Sequence, residues 1–104
     1  MKKITLLGST GSIGVNTLSV IEKNPKDFKV TALTAGSNVK VLAGQVLKFR
    51  PGTVAVRSKK DAMSLKDMLG SFKIKILYDE SGLEEVAACS ASDLVLSAIS
   101  GAAG

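Results

Sequence analysis

A chain of 104 residues, 45% of them hydrophobic, is long enough for one domain with one core. Its 14 Lys and Arg against 9 Asp and Glu give a net charge of +5. The lysines are scattered, without an Arg-rich or aromatic-interleaved cluster, so the excess fits a solvated surface with mild attraction for phosphate ligands and argues against a nucleic-acid partner. With no histidine, His-based acid–base chemistry and most zinc sites are excluded. A single cysteine, Cys89, excludes an intrachain disulfide and fits a cytosolic compartment. No apolar run approaches the about 20 residues a membrane span needs, and the run after Lys2-Lys3 is too short for a signal peptide.

Residues 3 to 8 read as a first strand. A helix follows from near Ser12 and ends by Asn24-Pro25, because proline disfavours a helical residue before it. Its expected inward face carries Ile13, Thr17, Val20 and Ile21. A second strand is expected over 29–35. Gly36-Ser37-Asn38 form a loop, with Asn38 a cap for a second helix bearing Val39, Leu42, Ala43, Val46, Leu47 and Phe49. That helix stops before Pro51-Gly52. A third strand spans 53–56, and Ser58 caps a third helix with the stripe Ala62, Leu65, Met68, Leu69. Residues 73–77 alternate lysine with isoleucine, as in an edge strand with one wet face. Glu84 to Cys89 reads as a short helix, and 93–100 as a buried strand.

Strands alternating with helices, and a core of Val, Ile, Leu and Ala with three Phe, one Tyr and no Trp, predict an α/β fold. The expected form is a Rossmann-like doubly wound parallel sheet of about five strands. The first strand should be central, flanked by the second on one side and the last on the other, with 73–77 at the far edge beyond the third.

The first strand runs into Gly8-x-x-Gly11-x-x-Gly14 and then directly into a helix. Helix N-termini present unpaired N–H groups and a partial positive charge of about half a unit. Close approach of a pyrophosphate to backbone requires glycine. The commoner fingerprint is G-x-G-x-x-G; this variant adds Ser9, Thr10 and Ser12 as hydroxyl or amide donors. The candidate phosphate-binding residues are Gly8, Thr10, Gly11, Ser12, Ile13 and Gly14. A glycine triplet also serves a plain strand–helix turn; its place after the first strand of a βαβ unit favours the dinucleotide.

About 20 residues beyond such a motif, NAD-binding folds usually place Asp or Glu on the ribose hydroxyls. Here residues 34 to 38 hold no carboxylate. Gly36 leaves space, Ser37 and Asn38 offer hydrogen bonds, and Lys40 adds positive charge, so NADPH is favoured over NADH. Ala98 and Ile99, with Ser100 and Gly101, are candidates for the far wall of the cofactor cleft, although spacing alone equally fits a buried strand running into a flexible end. Asp79, Glu80, Glu84 and Glu85 read as a solvated turn and the acidic first turn of a helix, not as a cation site, and Cys89 as buried and inert.

Three segments together resemble the 1-deoxy-D-xylulose 5-phosphate reductoisomerase family. They are Gly8 to Gly14; Asn24-Pro25 with Phe28, Val30 and Ala32 to Asn38; and Ala98 to Gly104. The resemblance covers the chain in order, least diagnostically over 53–92. It implies an enzyme of isoprenoid precursor synthesis by the non-mevalonate pathway. Such an enzyme rearranges 1-deoxy-D-xylulose 5-phosphate and reduces the product with NADPH to 2-C-methyl-D-erythritol 4-phosphate, using magnesium or manganese as a homodimer. It implies contacts from Thr10, Gly11, Ser12 and Ile13 to the pyrophosphate side, and from Gly36, position 37 and Asn38 to the adenosine ribose phosphate. The family often carries Lys or Arg at position 37; Ser37 leaves Lys40 or a neighbouring group to compensate.

The resemblance also implies that residues 1–104 are the NADPH-binding domain of a longer enzyme. The metal, catalytic and substrate residues would lie beyond it, so that no catalytic or metal residue is assigned in this chain and it is inactive alone. Two other readings stay open on the residues: the NADP-binding domain of an aspartate-semialdehyde dehydrogenase-like oxidoreductase, and a non-catalytic nucleotide-sensing module.

Overall fold

A computed structural model describes residues 2–36, 38–70, 72–88 and 92–97. Strands β1 (Lys2–Leu7), β2 (Phe28–Thr34), β3 (Thr53–Val56), β4 (Lys75–Tyr78) and β5 (Leu94–Ser97) alternate with helices α1 (Ser12–Lys23), α2 (Val39–Phe49), α3 (Lys59–Leu69) and α4 (Asp79–Ala87). All pairings are parallel, in the order β4-β3-β2-β1-β5. β1 lies between β2 and β5 as the sequence predicts, and β4 is at the far edge beyond β3; the middle position itself belongs to β2.

The chain moves in one direction from β1 to β4 and then returns past β1 to β5. Right-handed crossovers therefore put the first three helices on one face and the fourth on the other. The core agrees. Ile4, Leu6, Val30, Leu33, Val54 and Val56 of the sheet pack with Leu18 and Ile21 of α1, Leu42 and Val46 of α2, and Ala62 and Leu65 of α3. On the opposite face Ala32 and Ala55 meet Val86 of α4, flanked by Leu7, Leu77 and Leu83. A register shift between Ile4 and Thr5 breaks the β1–β2 ladder opposite Thr31. There Thr31 Oγ1 donates to Ile4 O at 3.1 Å and shares a hydrogen bond with Ser92 Oγ at 2.6 Å. Ser92 also pairs with the buried Thr5 hydroxyl.

Four expectations are corrected. In α1 the buried residues are Gly14, Leu18 and Ile21, whereas Ile13 and Val20 are exposed. The helix sits on the sheet through a glycine, so its contact face carries fewer apolar side chains than the periodicity suggests. Leu47 and Met68 likewise point to solvent. α4 begins at Asp79, five residues earlier than Glu84, with Ser81-Gly82 inside it. Gly82 is a contact residue there, since a Cβ on it would lie 2.9 Å from Leu77 Cβ. Finally, Leu94 and Val95 of β5 are exposed, because β5 is an edge strand. Cys89 and positions 98 to 100 lie outside the described residues.

Candidate cofactor site

The ends of β1 and β2 are tied together just where the glycine turn begins. Gly8 N–H donates to Thr34 O and to Thr34 Oγ1, both at 3.0 Å, and Ser9 N–H donates to Thr34 O at 2.8 Å. Gly8 takes φ +79°, a left-handed conformation that only glycine adopts without strain. The chain then reverses through Thr10 into α1. A Cβ on Gly14 would lie 2.3 Å from Gly8 O and 2.7 Å from Ser9 Cα, so helix and turn are in backbone contact. Gly11 differs: a Cβ there meets only Gly8 O, at an ordinary 3.9 Å. Nothing in the fold demands glycine at position 11, and the space in front of it is free.

The first amides of α1 face that space. Gly11 precedes the helix with no side-chain cap, and no acidic residue stands in the first turn. Val15 N–H closes the first helical bond to Gly11 O at 2.9 Å, which leaves the amides of Ser12, Ile13 and Gly14 for an external acceptor. Two other helices are capped within the chain: Asn38 Oδ1 accepts from Val41 N–H at 3.4 Å and Ser58 Oγ from Asp61 N–H at 3.2 Å. The turn, the open glycine and the free amides fit a pyrophosphate.

Ser9 does not play the donor role its sequence position suggested. It is fully buried, its Oγ donates to Gln45 Oε1 at 2.7 Å, and Gln45 Nε2 donates back to Ser9 O at 2.8 Å. Ser9 fixes the turn to α2, leaving Thr10 and Ser12 at the surface of the loop. Gln45 is a site residue that sequence reading passed over; a mid-helix glutamine announces nothing until the fold brings it to the turn.

The loop after β2 stands beside the turn, since Thr34 anchors Gly8 and Gly36 follows two residues later. A Cβ on Gly36 would meet nothing within 4 Å among the described residues. Asn38 caps α2 from the same loop. Of the remaining candidates, Ser37, Ala98 and Ile99 lie outside the described residues. Ser97 pairs with Leu7 beside the turn.

α4 opens directly after Tyr78, at the carboxyl end of β4. Glu80 and Glu84 line a hollow of about 260 Å³ with Leu7, Thr34, Leu83 and Ala87. These carboxylates approach the turn from the face opposite the α1 amides. Among the described residues no three His, Cys, Asp or Glu side chains converge on a metal position, and no helix is long and apolar enough to cross a membrane.

A doubly wound parallel sheet with a glycine turn and an uncapped helix at its switch point is a Rossmann-like nucleotide-binding fold. A family model described as 1-deoxy-D-xylulose 5-phosphate reductoisomerase matches residues 4–104. The chain belongs to that family, which sets aside the aspartate-semialdehyde dehydrogenase-like alternative. It is 47% identical over 104 residues to the 1-deoxy-D-xylulose 5-phosphate reductoisomerase of Chlorobium phaeobacteroides (strain BS1), covering all of this chain and 27% of that protein. With the Proteus mirabilis enzyme of that name identity is 48% over 106 residues, with the same coverage. The reductoisomerase from Zymomonas mobilis in complex with NADPH superposes with a TM-score of 0.87 at 33% identity, over 94% of this chain and 26% of that one. A reductoisomerase complex with NADPH, fosmidomycin and magnesium gives a TM-score of 0.90 at 33% identity, over 99% and 26%. The chain thus spans about a quarter of the length of these relatives.

Proposed function

We propose that residues 1–104 are the NADPH-binding domain of a 1-deoxy-D-xylulose 5-phosphate reductoisomerase. The observation that carries this is the uncapped α1 terminus over the Gly8–Gly14 turn, in a chain of that family. The amides of Ser12, Ile13 and Gly14 hold the pyrophosphate, and Thr10 adds a hydroxyl. Gly8 and Gly11 let it approach the backbone. Gly36, Ser37 and Asn38 receive the adenosine ribose, with Ala98 and Ile99 as candidates for the far wall of the cofactor cleft. NADPH, when bound, supplies the hydride for reduction of the rearranged sugar phosphate. This chain holds and orients the donor and excludes water from it along the carboxyl edge.

The remaining parts of the reaction belong to other elements of the enzyme. A hard cation wants several converging oxygen ligands, and the carboxylates Asp79, Glu80, Glu84 and Glu85 are all exposed on a single helix. The metal, magnesium or manganese, and the sugar phosphate are therefore assigned to the rest of a longer homodimeric enzyme. A reducing, cytoplasmic setting fits the single cysteine and the use of NADPH.

Fluorescence titration of the 104-residue chain with NADPH and NADH tests the binding role. Tighter binding of NADPH, abolished by Gly11→Val, is the expected result. Tighter binding of NADH would refute the cofactor assignment. The same chain, saturated with NADPH and magnesium, is expected to give no NADPH oxidation with 1-deoxy-D-xylulose 5-phosphate above a no-protein control.

A further inference from the structure

NADPH differs from NADH only by the 2′-phosphate on the adenosine ribose, and the loop after β2 offers that phosphate little charge. Position 37, often Lys or Arg in the family the chain resembles, is serine. Gly36 has no side chain, and Asn38 already spends its Oδ1 on the α2 cap. The β-ladder points to where the missing cation stands. Thr34 of β2 is in register with Ala55 of β3, and Ala35 N–H still donates to Ala55 O at 3.0 Å. Two residues beyond that pair, just past the ends of the two neighbouring strands, come Gly36 and Arg57.

Arg57 is exposed and follows β3 directly, at the carboxyl end where the cofactor edge lies. The ion pairs among the described residues are Lys48–Glu22 and Lys75–Glu85, so Arg57 is committed to neither. Its surroundings favour an anion. Lys59 and Lys60 occupy the first turn of α3, where the helix dipole favours carboxylates, and α2 has no acid in its first turn. The carboxylates on that side are Asp61 in α3 and Asp79 and Glu80 at the start of α4; none forms an ion pair with Arg57. Among the described residues nothing lies within 4 Å of a Cβ placed on Gly36. A guanidinium in that position binds a phosphate monoester through two parallel N–H···O bonds, and its flat face can stack on adenine.

We propose that Arg57 reads the 2′-phosphate of NADPH, from β3 and not from the loop after β2, and supplies the charge that Ser37 does not. The proposal rests on the reading that this chain holds NADPH. It makes Arg57 a specificity-determining residue with no part in pyrophosphate binding.

The test is fluorescence titration of the full protein and its variants with NADPH and NADH. Arg57→Ala is expected to weaken NADPH binding about ten- to hundred-fold while leaving NADH binding unchanged. The salt sensitivity of the NADPH preference should fall with it. Arg57→Lys retains part of the preference. Adding Ser37→Lys to Arg57→Ala restores it, because a positive charge returns to the loop that follows β2. Lys40→Ala, in the first turn of α2, weakens it less than Arg57→Ala does. An Arg57→Ala protein that keeps the wild-type NADPH-to-NADH ratio overturns the proposal and leaves the NADPH reading intact. So does one in which Lys40→Ala alone removes the preference. A wild-type protein that binds NADH as tightly as NADPH, or ignores Gly11→Val, overturns both. Arg57 is exposed, so its replacement should leave the thermal midpoint in place, and unfolding curves confirm that the variants compared are folded.

Discussion

Ser9 and Gln45, 36 residues apart, exchange two hydrogen bonds: the serine hydroxyl donates to the glutamine carbonyl oxygen and the glutamine amide to the serine backbone oxygen. This exchange fixes the glycine turn relative to α2, so the position of the α1 amides depends on a residue in the next helix. Gln45→Ala leaves a buried hydroxyl and a carbonyl without partners. We expect a loss of about 1–3 kcal/mol in stability, read by urea unfolding, together with weaker NADPH binding. A variant with full stability would show that the clamp is dispensable.

Gly11 and Gly14 should separate cleanly. Gly14→Ala drives a Cβ into backbone atoms at 2.3 and 2.7 Å, and nothing there is a flexible side-chain end. The helix must move, at an expected cost of about 3 kcal/mol. Gly11→Ala meets only Gly8 O at 3.9 Å and should unfold at the wild-type denaturant concentration, yet lose NADPH affinity. Parallel unfolding and titration curves for the two variants check this, and equal stability losses would contradict it.

The helix caps offer a second separation. Asn38→Ala and Ser58→Ala each remove one bond to a first-turn amide, and each should cost about 1 kcal/mol. Asn38 stands in the ribose loop itself, whereas Ser58 borders the site only through its neighbour Arg57. Titrations corrected for folding are therefore expected to show a larger loss of NADPH affinity for Asn38→Ala than for Ser58→Ala.

Ser92→Ala tests the polar knot at the break in the β1–β2 ladder. It strips a partner from both Thr31 and the buried Thr5. The expected loss is about 1–3 kcal/mol. Replacing Thr5 by Val in the same background should recover part of it, since the orphaned hydroxyl is then gone. Calorimetry on the single and double variants decides; a further loss on adding Thr5→Val would count against this account.

Much of this architecture is written in local pattern. The strand order followed from alternating elements and a glycine turn that marks the switch point, and Asn38 and Ser58 cap as their residue types suggest. The misreadings of α1 and α4 share one cause, which is glycine acting through contact. Gly14 is where α1 touches the turn and Gly82 is where α4 touches Leu77. A residue without a side chain gives no hydrophobic signal, so the periodicity turns Ile13 inward and starts α4 only at Glu84. Gln45 and Arg57 were invisible for a different reason: their significance lies in which strand end or helix they stand beside, and sequence spacing does not carry that.

The two margins of the sheet are unlike. At β4 the border is flanked by Lys73 and Lys75, with Lys75 held 3.8 Å from Glu85, and charged residues of this kind deter another strand from docking. At β5 the sequence is Leu94-Val95-Leu96-Ser97, with Leu94 and Val95 in contact with solvent. Among the described residues no lysine stands in β5, and Asp93 just before it is the flanking charge. Copies of these strands are expected to meet along that border sooner than along the lysine-flanked one. Self-association of the isolated domain should therefore be relieved by a lysine at position 95 and unaffected by one at position 78.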